Sequence, residues 1–245
     1  MTTPAHRIAA FSLTLLLLAG CATTPLSGPP ETLFKEGELA FGKGNYEAAI
    51  TYWKKVKESY QSPELTTKAE INIADAYFLN KDYIEAAAAY EDFRKLHPGN
   101  ERAGHALYRQ GLSHFNQVNG IDTDQTPVKN ALISFESYLK QYPAGEYAAD
   151  ARTRIQTSRD MQLQYEIYVG RFYQKTGKNS SAIGRFEQAL KDFPDLPRRD
   201  EVLFLLGRSY QKAGQQPKAL EAFDRLLKEF PESSFAAEAR SRAGR

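Results

Sequence analysis

The stretch Gly207–Pro231, GRSYQKAGQQPKALEAFDRLLKEFP, reads as two amphipathic helices folded about a turn. Gly207 and Tyr210 lie one helical turn apart in its first half, and Ala219 and Phe223 one turn apart in its second. Gly214-Gln215-Gln216-Pro217 interrupts the periodicity between them, and Pro231 closes the unit. The same register stands 37 residues upstream, in Gly170, Tyr173, Ala182, Phe186 and Pro194. It recurs in Gly111, Ala131, Phe135 and Pro143, and again in Ala74, Tyr77, Ala86, Tyr90 and Pro98. The first copy is the most degenerate, with Gly37, Ala49 and Trp53, and with Pro63 displaced by two. The anchors at 37, 74, 111, 170 and 207 are spaced by 37, 37, 59 and 37 residues.

Five copies in register resemble the tetratricopeptide repeat, a helix-turn-helix unit of about 34 residues. Packing explains the residue types. A Gly or Ala lets the first helix of a unit approach the second, an aromatic ring fills the space between helices, and Pro ends the second helix. Turn signals separate the halves at Gly44-Asn45, Asn80-Lys81-Asp82, Gly177-Lys178-Asn179 and Gly214–Pro217. No useful strand-like alternation interrupts them. The expected fold is all-α: a right-handed solenoid of five helix-turn-helix repeats whose first helices line a concave face.

The 59-residue spacing is the irregular one. Eight of its extra residues fall in the polar segment 119–127, within the third unit. Fourteen more fall in about 146–164, which carries no helix breaker and reads as one long helix running into the fourth repeat, longer by about 20 Å at about 1.5 Å per residue. The expected organisation is a first module over 31–145 holding repeats one to three with the loop 119–127. A second module over 146–245 then holds the long helix, repeats four and five, and a short cap over 232–242.

The chain has 245 residues, 42% hydrophobic and 25% charged, which fits one or two folded domains and excludes collagen, wholesale disorder and a multi-span membrane protein. One Cys excludes an internal disulfide and a cysteine-rich metal site. The net charge of +2 gives no global basic field for nucleic acid. It hides an asymmetry: residues 22–150 hold 13 Lys and Arg against 18 Asp and Glu, leaving −5, and residues 151–245 hold 18 against 12, leaving +6. Such a split points to two different partners or one dipolar partner, or to solvated helix faces. At the N-terminus, the apolar run Ile8–Ala19 is too short to span a bilayer and suits a signal peptide. It ends in Leu18-Ala19-Gly20-Cys21, which resembles the bacterial lipobox. The resemblance implies that residues 1–20 are removed and that Cys21 carries diacylglycerol and an N-acyl chain, enough for durable anchoring. A plain secretory signal with an incidental Cys is the alternative. Ala22, in place of Asp, implies sorting to the outer membrane, and residues 21–30 read as a lipidated tether.

A lipoprotein with five such repeats, a loop within the third and a long helix before the fourth resembles the BamD family of outer-membrane β-barrel assembly lipoproteins. The stretches that carry this are Tyr108-Arg109-Gln110-Gly111-Leu112, Asp124-Gln125-Thr126-Pro127 with Ala131 and Phe135, Tyr142-Pro143 with Tyr147 and Asp150-Ala151, and Arg159-Asp160 through Tyr165-Glu166 to Tyr173. The resemblance spans about Glu31 to Glu238 and rests on repeat pattern alone in repeats one and two. It implies a non-enzymatic scaffold on the periplasmic face of the outer membrane, held there by its lipid anchor. The implied partners are a POTRA-bearing barrel assembly protein, docked to the C-terminal module, accessory lipoproteins, and nascent outer-membrane protein peptides at the N-terminal module. Competing scaffold roles are pilus or secretin assembly and cell-wall or division coordination. The interrupted third repeat argues against the former and the absence of a coiled coil before the repeats against the latter.

Repeat register places candidate residues. With each anchor at position 8, positions 2, 5, 9 and 12 of the first helix are expected on the concave face. Phe34, Ile71 and Tyr108 occupy position 5, and Phe41, Phe78 and Phe115 occupy position 12 in repeats one to three. With Arg109 to meet a carboxylate, they could seat an extended apolar peptide; alternatively the rings only fill the space between hairpins. Arg171 and Arg208 occupy position 9 of repeats four and five. Arg185, between the inward Ile183 and Phe186, is expected to face out, either to a partner carboxylate or to solvent. No metal-ligand spacing joins His97, His105 and His114, and no phosphate loop or nucleophile motif exists, so no cofactor beyond the covalent lipid on Cys21 and no catalysis is expected. No pair of titratable groups is expected to cluster away from solvent.

Overall fold

The computed structural model describes residues 27–195 and 197–244. Cys21, the signal segment and most of the tether lie outside the described residues. Among the described residues there are eleven helices and no strand: α1 (Pro30–Gly42), α2 (Tyr46–Ser59), α3 (Pro63–Leu79), α4 (Tyr83–Leu96), α5 (Ala103–Asn116), α6 (Thr126–Gln141), α7 (Ala148–Lys175), α8 (Asn179–Asp192), α9 (Arg199–Lys212), α10 (Gln216–Glu229) and α11 (Ala236–Arg242). Each helix lies against the next, and α1, α3 and α5, like α7 and α9, also touch along the row of first helices. This is the tetratricopeptide solenoid, five hairpins and a cap.

Close approach within a hairpin has a steric basis. A Cβ on Gly207 would sit 2.5 Å from the ring of Phe223, and one on Gly111 would sit 2.8 Å from the ring of Phe135. Gly37 faces Trp53 and Gly170 faces Phe186 in the same way. All four aromatic side chains are buried. The turns need a left-handed residue, and Gly44, Gly177 and Gly214 supply it at φ +75°, +75° and +74°. In the second hairpin Lys81 takes that place at φ 67°.

Three boundaries differ from the expectation. Pro63 is no terminator: it opens α3, with Ser62 as the cap accepting from the Leu65 amide, and α2 ends at Tyr60 in the left-handed conformation. Proline is favoured at a first helical turn, where the missing N–H costs nothing. Thr126 and Pro127 likewise belong to α6 rather than the loop, and the Asp124 carboxylate accepts from the Thr126 amide at 2.9 Å. The cap helix begins at Ala236, after a turn at 231–235.

The long helix exists. At 28 residues α7 is twice the length of α9, and it belongs to two cores. Ala148, Ala151 and Ile155 join Leu107, Phe135 and Tyr138, whereas Leu163 and Ile167 join Phe186, Leu203 and Phe223. Between them the Arg159 guanidinium donates two 2.7 Å bonds to Asp195 in the α8–α9 connection, bracing the helix against the later hairpins.

Candidate functional site

The inner face is built from α1, α3, α5, α7 and α9, and its polar contacts follow one rule. A charge at position 9 of one repeat meets position 2 of the next, 30 residues on. Asp75 accepts from His105 Nε2 at 2.8 Å, and Arg171 donates to Glu201 at 2.6 Å. Glu38 and Lys68 interact electrostatically across the same step. The rungs reverse sign along the chain, acid to base in the first repeats and base to acid in the fourth.

Around Asp75 the sequence expectation fails, because titratable groups do cluster there. Tyr90 Oη donates to its carboxylate at 2.6 Å and Arg102 at 2.7 Å. His105 Nδ1 lies 3.3 Å from Tyr147 Oη. Burial pushes the Asp75 carboxyl up, but the His105 and Tyr90 hydrogen bonds and the neighbouring cations outweigh it and hold the pKa below the ordinary 3.8. Burial, aided by Asp75, pushes the Tyr90 hydroxyl far above its usual range. The groups come from α3, α4, α5 and the start of α7, and the cluster acts as a staple between repeats. The 30-residue step was the sequence signal for it. Glu70 extends the pattern, held between His97 at 2.6 Å and Lys57 at 3.3 Å.

The expected aromatic groove is only partly a groove. Ile71 and Tyr108 are buried, 3% and 7% exposed, and belong to the core, which corrects their assignment to the groove wall. Tyr108 stacks on Tyr147 with ring centroids 4.3 Å apart, and its hydroxyl donates to Asp150 at 2.6 Å. Phe34 and Phe41 pack against Trp53, with centroids 6.2 and 5.6 Å apart, so both rings fill the first hairpin. The other two rings lie under arginines: Arg109 over Phe78 at 4.6 Å and Arg154 over Phe115 at 4.9 Å. Arg109 Nε is buried without a hydrogen-bond partner. The sequence placed Arg109 near the rings but missed Arg154, which reaches the face from α7.

Arg185 is not free for a partner, as the sequence reading allowed. Its guanidinium pairs with Glu166 at 3.2 Å, because α8 packs on α7 with the two side chains opposed. The pair lines a cleft of about 470 Å³ with Tyr165 and with Asp124 and Lys129 from the inserted loop and the start of α6. Arg171 is half exposed, and Arg208 lies over the Phe204 ring at 5.6 Å. Among the described residues no group of three or more His, Cys, Asp or Glu side chains could hold a metal. None of the described helices is long and apolar enough to cross a membrane.

Comparison with known proteins gives the context. The family profile described as YfiO, outer membrane lipoprotein, matches residues 27–220. The outer membrane protein assembly factor BamD of Caulobacter vibrioides is 30% identical over 210 residues, covering 83% of this chain and 68% of the relative. That of Vibrio cholerae is 29% identical over 196 residues, covering 75% and 81%. Among solved structures, the TPR2AB-domain:pHSP90-complex of yeast Sti1 is similar at 12% identity and a TM-score of 0.45, covering 87% of this chain and 81% of that one. The profile match runs through the inserted loop and the whole of α7, the two departures from regular repeat stacking, and the chain belongs to the YfiO family of outer membrane lipoproteins, whose curated relatives here are BamD assembly factors.

Proposed function

We propose that this protein is a non-catalytic scaffold subunit of the machinery that assembles β-barrel proteins into the outer membrane. The observation that carries the proposal is the match of residues 27–220, with the loop and the long helix inside it, to a family whose similar relatives are named outer membrane protein assembly factors. The fold supports it: α7 contributes to the cores on both sides of it, so the earlier and later hairpins are joined through one helix. In this reading Cys21 carries the lipids and the chain lies at the periplasmic face. The cleft beside Arg185 and Glu166 receives a POTRA domain of the barrel-forming partner, the N-terminal module receives nascent barrel peptide or an accessory lipoprotein, and the arginines over Phe78 and Phe115 meet a peptide carboxylate.

Affinity capture of the lipidated protein from its native outer membrane, with mass spectrometry of what it retains, tests this. A POTRA-bearing barrel protein is expected, and Arg185→Glu is expected to release it. Because Arg185→Glu also repels Glu166, the variant pairing it with Glu166→Arg restores the internal bond in reverse. Loss of partner in both variants assigns the effect to docking. Recovery of pilus, secretin or cell-wall proteins without a POTRA protein would overturn the assembly role.

A further inference from the structure

Two rungs of the inner face are closed by direct bonds. Asp75 has His105 and Arg171 has Glu201. For Arg208 the residue 30 on is Glu238, and that carboxylate is taken by Arg242 at 2.7 and 2.8 Å. Arg208 therefore rests on the Phe204 ring with no acidic partner among the described residues. One turn further along each helix stand Lys175 and Lys212, both exposed and also without an ion pair among the described residues. Two bonds fix how these cations lie together. Gln174 donates to the Leu205 carbonyl at 2.8 Å and to Ser209 Oγ at 2.7 Å, setting the end of α7 beside the second half of α9. The local acid, Glu201, already serves both Arg171 and Arg198. The same stretch of α7 exposes Tyr168 at 43% and Phe172 at 53%, one turn apart and two residues to either side of Gly170, so both point away from α8. Along α7 these rings adjoin Arg171 and Lys175 at helical spacing, and among the described residues no acid pairs with Lys175, Arg208 or Lys212.

We propose that this face binds an extended acidic segment of a partner protein, one that alternates carboxylates with apolar residues. Packed helix axes lie about 8–10 Å apart, and an extended chain in the polyproline II conformation rises about 3.1 Å per residue with three residues per turn. A carboxylate at every third position therefore recurs on one side of the chain about every 9 Å and keeps step with the rows of α7 and α9. The exposed rings favour a peptide over a bare phosphate or a lipid headgroup, because the residues between the carboxylates would cover Tyr168 and Phe172. Arg208 and Lys212 lie on α9, whereas the Arg185 cleft is lined from α7, α8 and the inserted loop, so the inference does not rest on the POTRA reading.

The test is fluorescence anisotropy with the full mature chain in detergent and a short labelled peptide carrying Glu at every third position with Leu and Phe between. Saturable binding that weakens as NaCl rises is expected. Arg208→Glu with Lys212→Glu should weaken it by about 10-fold or more while leaving the thermal melt and POTRA capture unchanged. Phe172→Ala should weaken it without changing its salt dependence. Failure to bind, equal binding of the Lys-for-Glu peptide, or unchanged affinity in the double variant would overturn the proposal. Phosphatidylglycerol vesicles or a Glu-only peptide binding as tightly as the mixed peptide would also overturn it, as either would show a general anion surface.

Discussion

The seam between α3 and α5 and the seam between α7 and α9 join equivalent helices of neighbouring repeats, yet they are made of different matter. The first is ionisable: Asp75, His105, Arg102 and Tyr90 meet around one carboxylate, with Tyr147 closing the far side. The second is mostly apolar, with Leu163, Ile167, Val202, Leu203 and Phe204 in one continuous core, crossed by the Gln174 amide bonded to Leu205 and Ser209 and by the one ion pair Arg171–Glu201. The first three hairpins hold three smaller clusters where the last two hold one. Apolar seams gain free energy with area and tolerate sliding. Ionic seams gain less, because charges lose their hydration, but they punish any misregister by leaving a charge unpaired. The repeat thus leaves open how neighbouring hairpins are joined. One end spends its inner-face charges on internal registry, and the other leaves cations outward.

Four measurements would break or sharpen that contrast. The largest effect is expected from Phe223→Ala, which empties the space over Gly207 and should cost about 3–5 kcal/mol in urea unfolding. Phe186→Ala should shift the same transition if the later hairpins melt as one unit; separate transitions would break the single-core description. Next, Asp75→Asn should cost about 2–3 kcal/mol, since it strands Arg102 and weakens the His105 bond. This site also sets a pH dependence. The Asp75 pKa is depressed in the folded state, so the unfolded chain binds the proton first. Its stabilisation is present above pH 3.8 and lost as pH falls through the lower folded value. Burial likewise depresses His114 below 6.5, so its contribution falls away as pH drops beneath that value. Unfolding midpoints of the Asp75→Asn chain should lose the more acidic of these two declines, and a slope identical to wild type would remove Asp75 from the account.

Smaller effects test the hairpins themselves. Gly111→Ala places a Cβ against Phe135 and should cost about 1–3 kcal/mol. Gly184→Ala, at a helical site with open space around it, should gain up to about 1 kcal/mol. Equal effects in thermal melts would deny that close helix approach is why the anchor position is Gly. The smallest change is Lys81→Gly, which relieves a side chain held at φ 67° and should gain about 0.5–1 kcal/mol. A loss there would mean that the Lys81 side chain contributes more than its backbone strain costs.

Much of the architecture was legible because repetition multiplies a weak signal. Gly111, Gly170 and Gly207 each recur at one offset from a Phe, and a Cβ there meets the ring. The absence of a breaker between about Glu146 and Gln164 was enough to announce α7. Pro63 was misread, because proline stops a helix behind it and starts one ahead of it equally well, and only Ser62 bonded to Leu65 decides which. The site was less legible. Tyr108 and Ile71 share the register of groove residues, but α7 and α4 close over them, and burial is a property of neighbours rather than of spacing. Arg185 was expected to face outward on helical phase alone, which says nothing of Glu166 opposite it.

The sequence by itself determined what is periodic: the five hairpins, the glycine-to-ring contacts, the inserted loop, the length of α7 and the reversal of charge along the chain. Each of these follows from residues within one repeat or from counting between repeats. Tertiary structure alone decided which charges are spent and which are free. Asp75, Arg185 and Glu201 are neutralised by partners 27, 19 and 30 residues away, and Arg208 is not, because Arg242 has already claimed the carboxylate that its register offers. An ion pair depends on distances of a few ångströms between helices, and those are fixed only when the whole row has stacked.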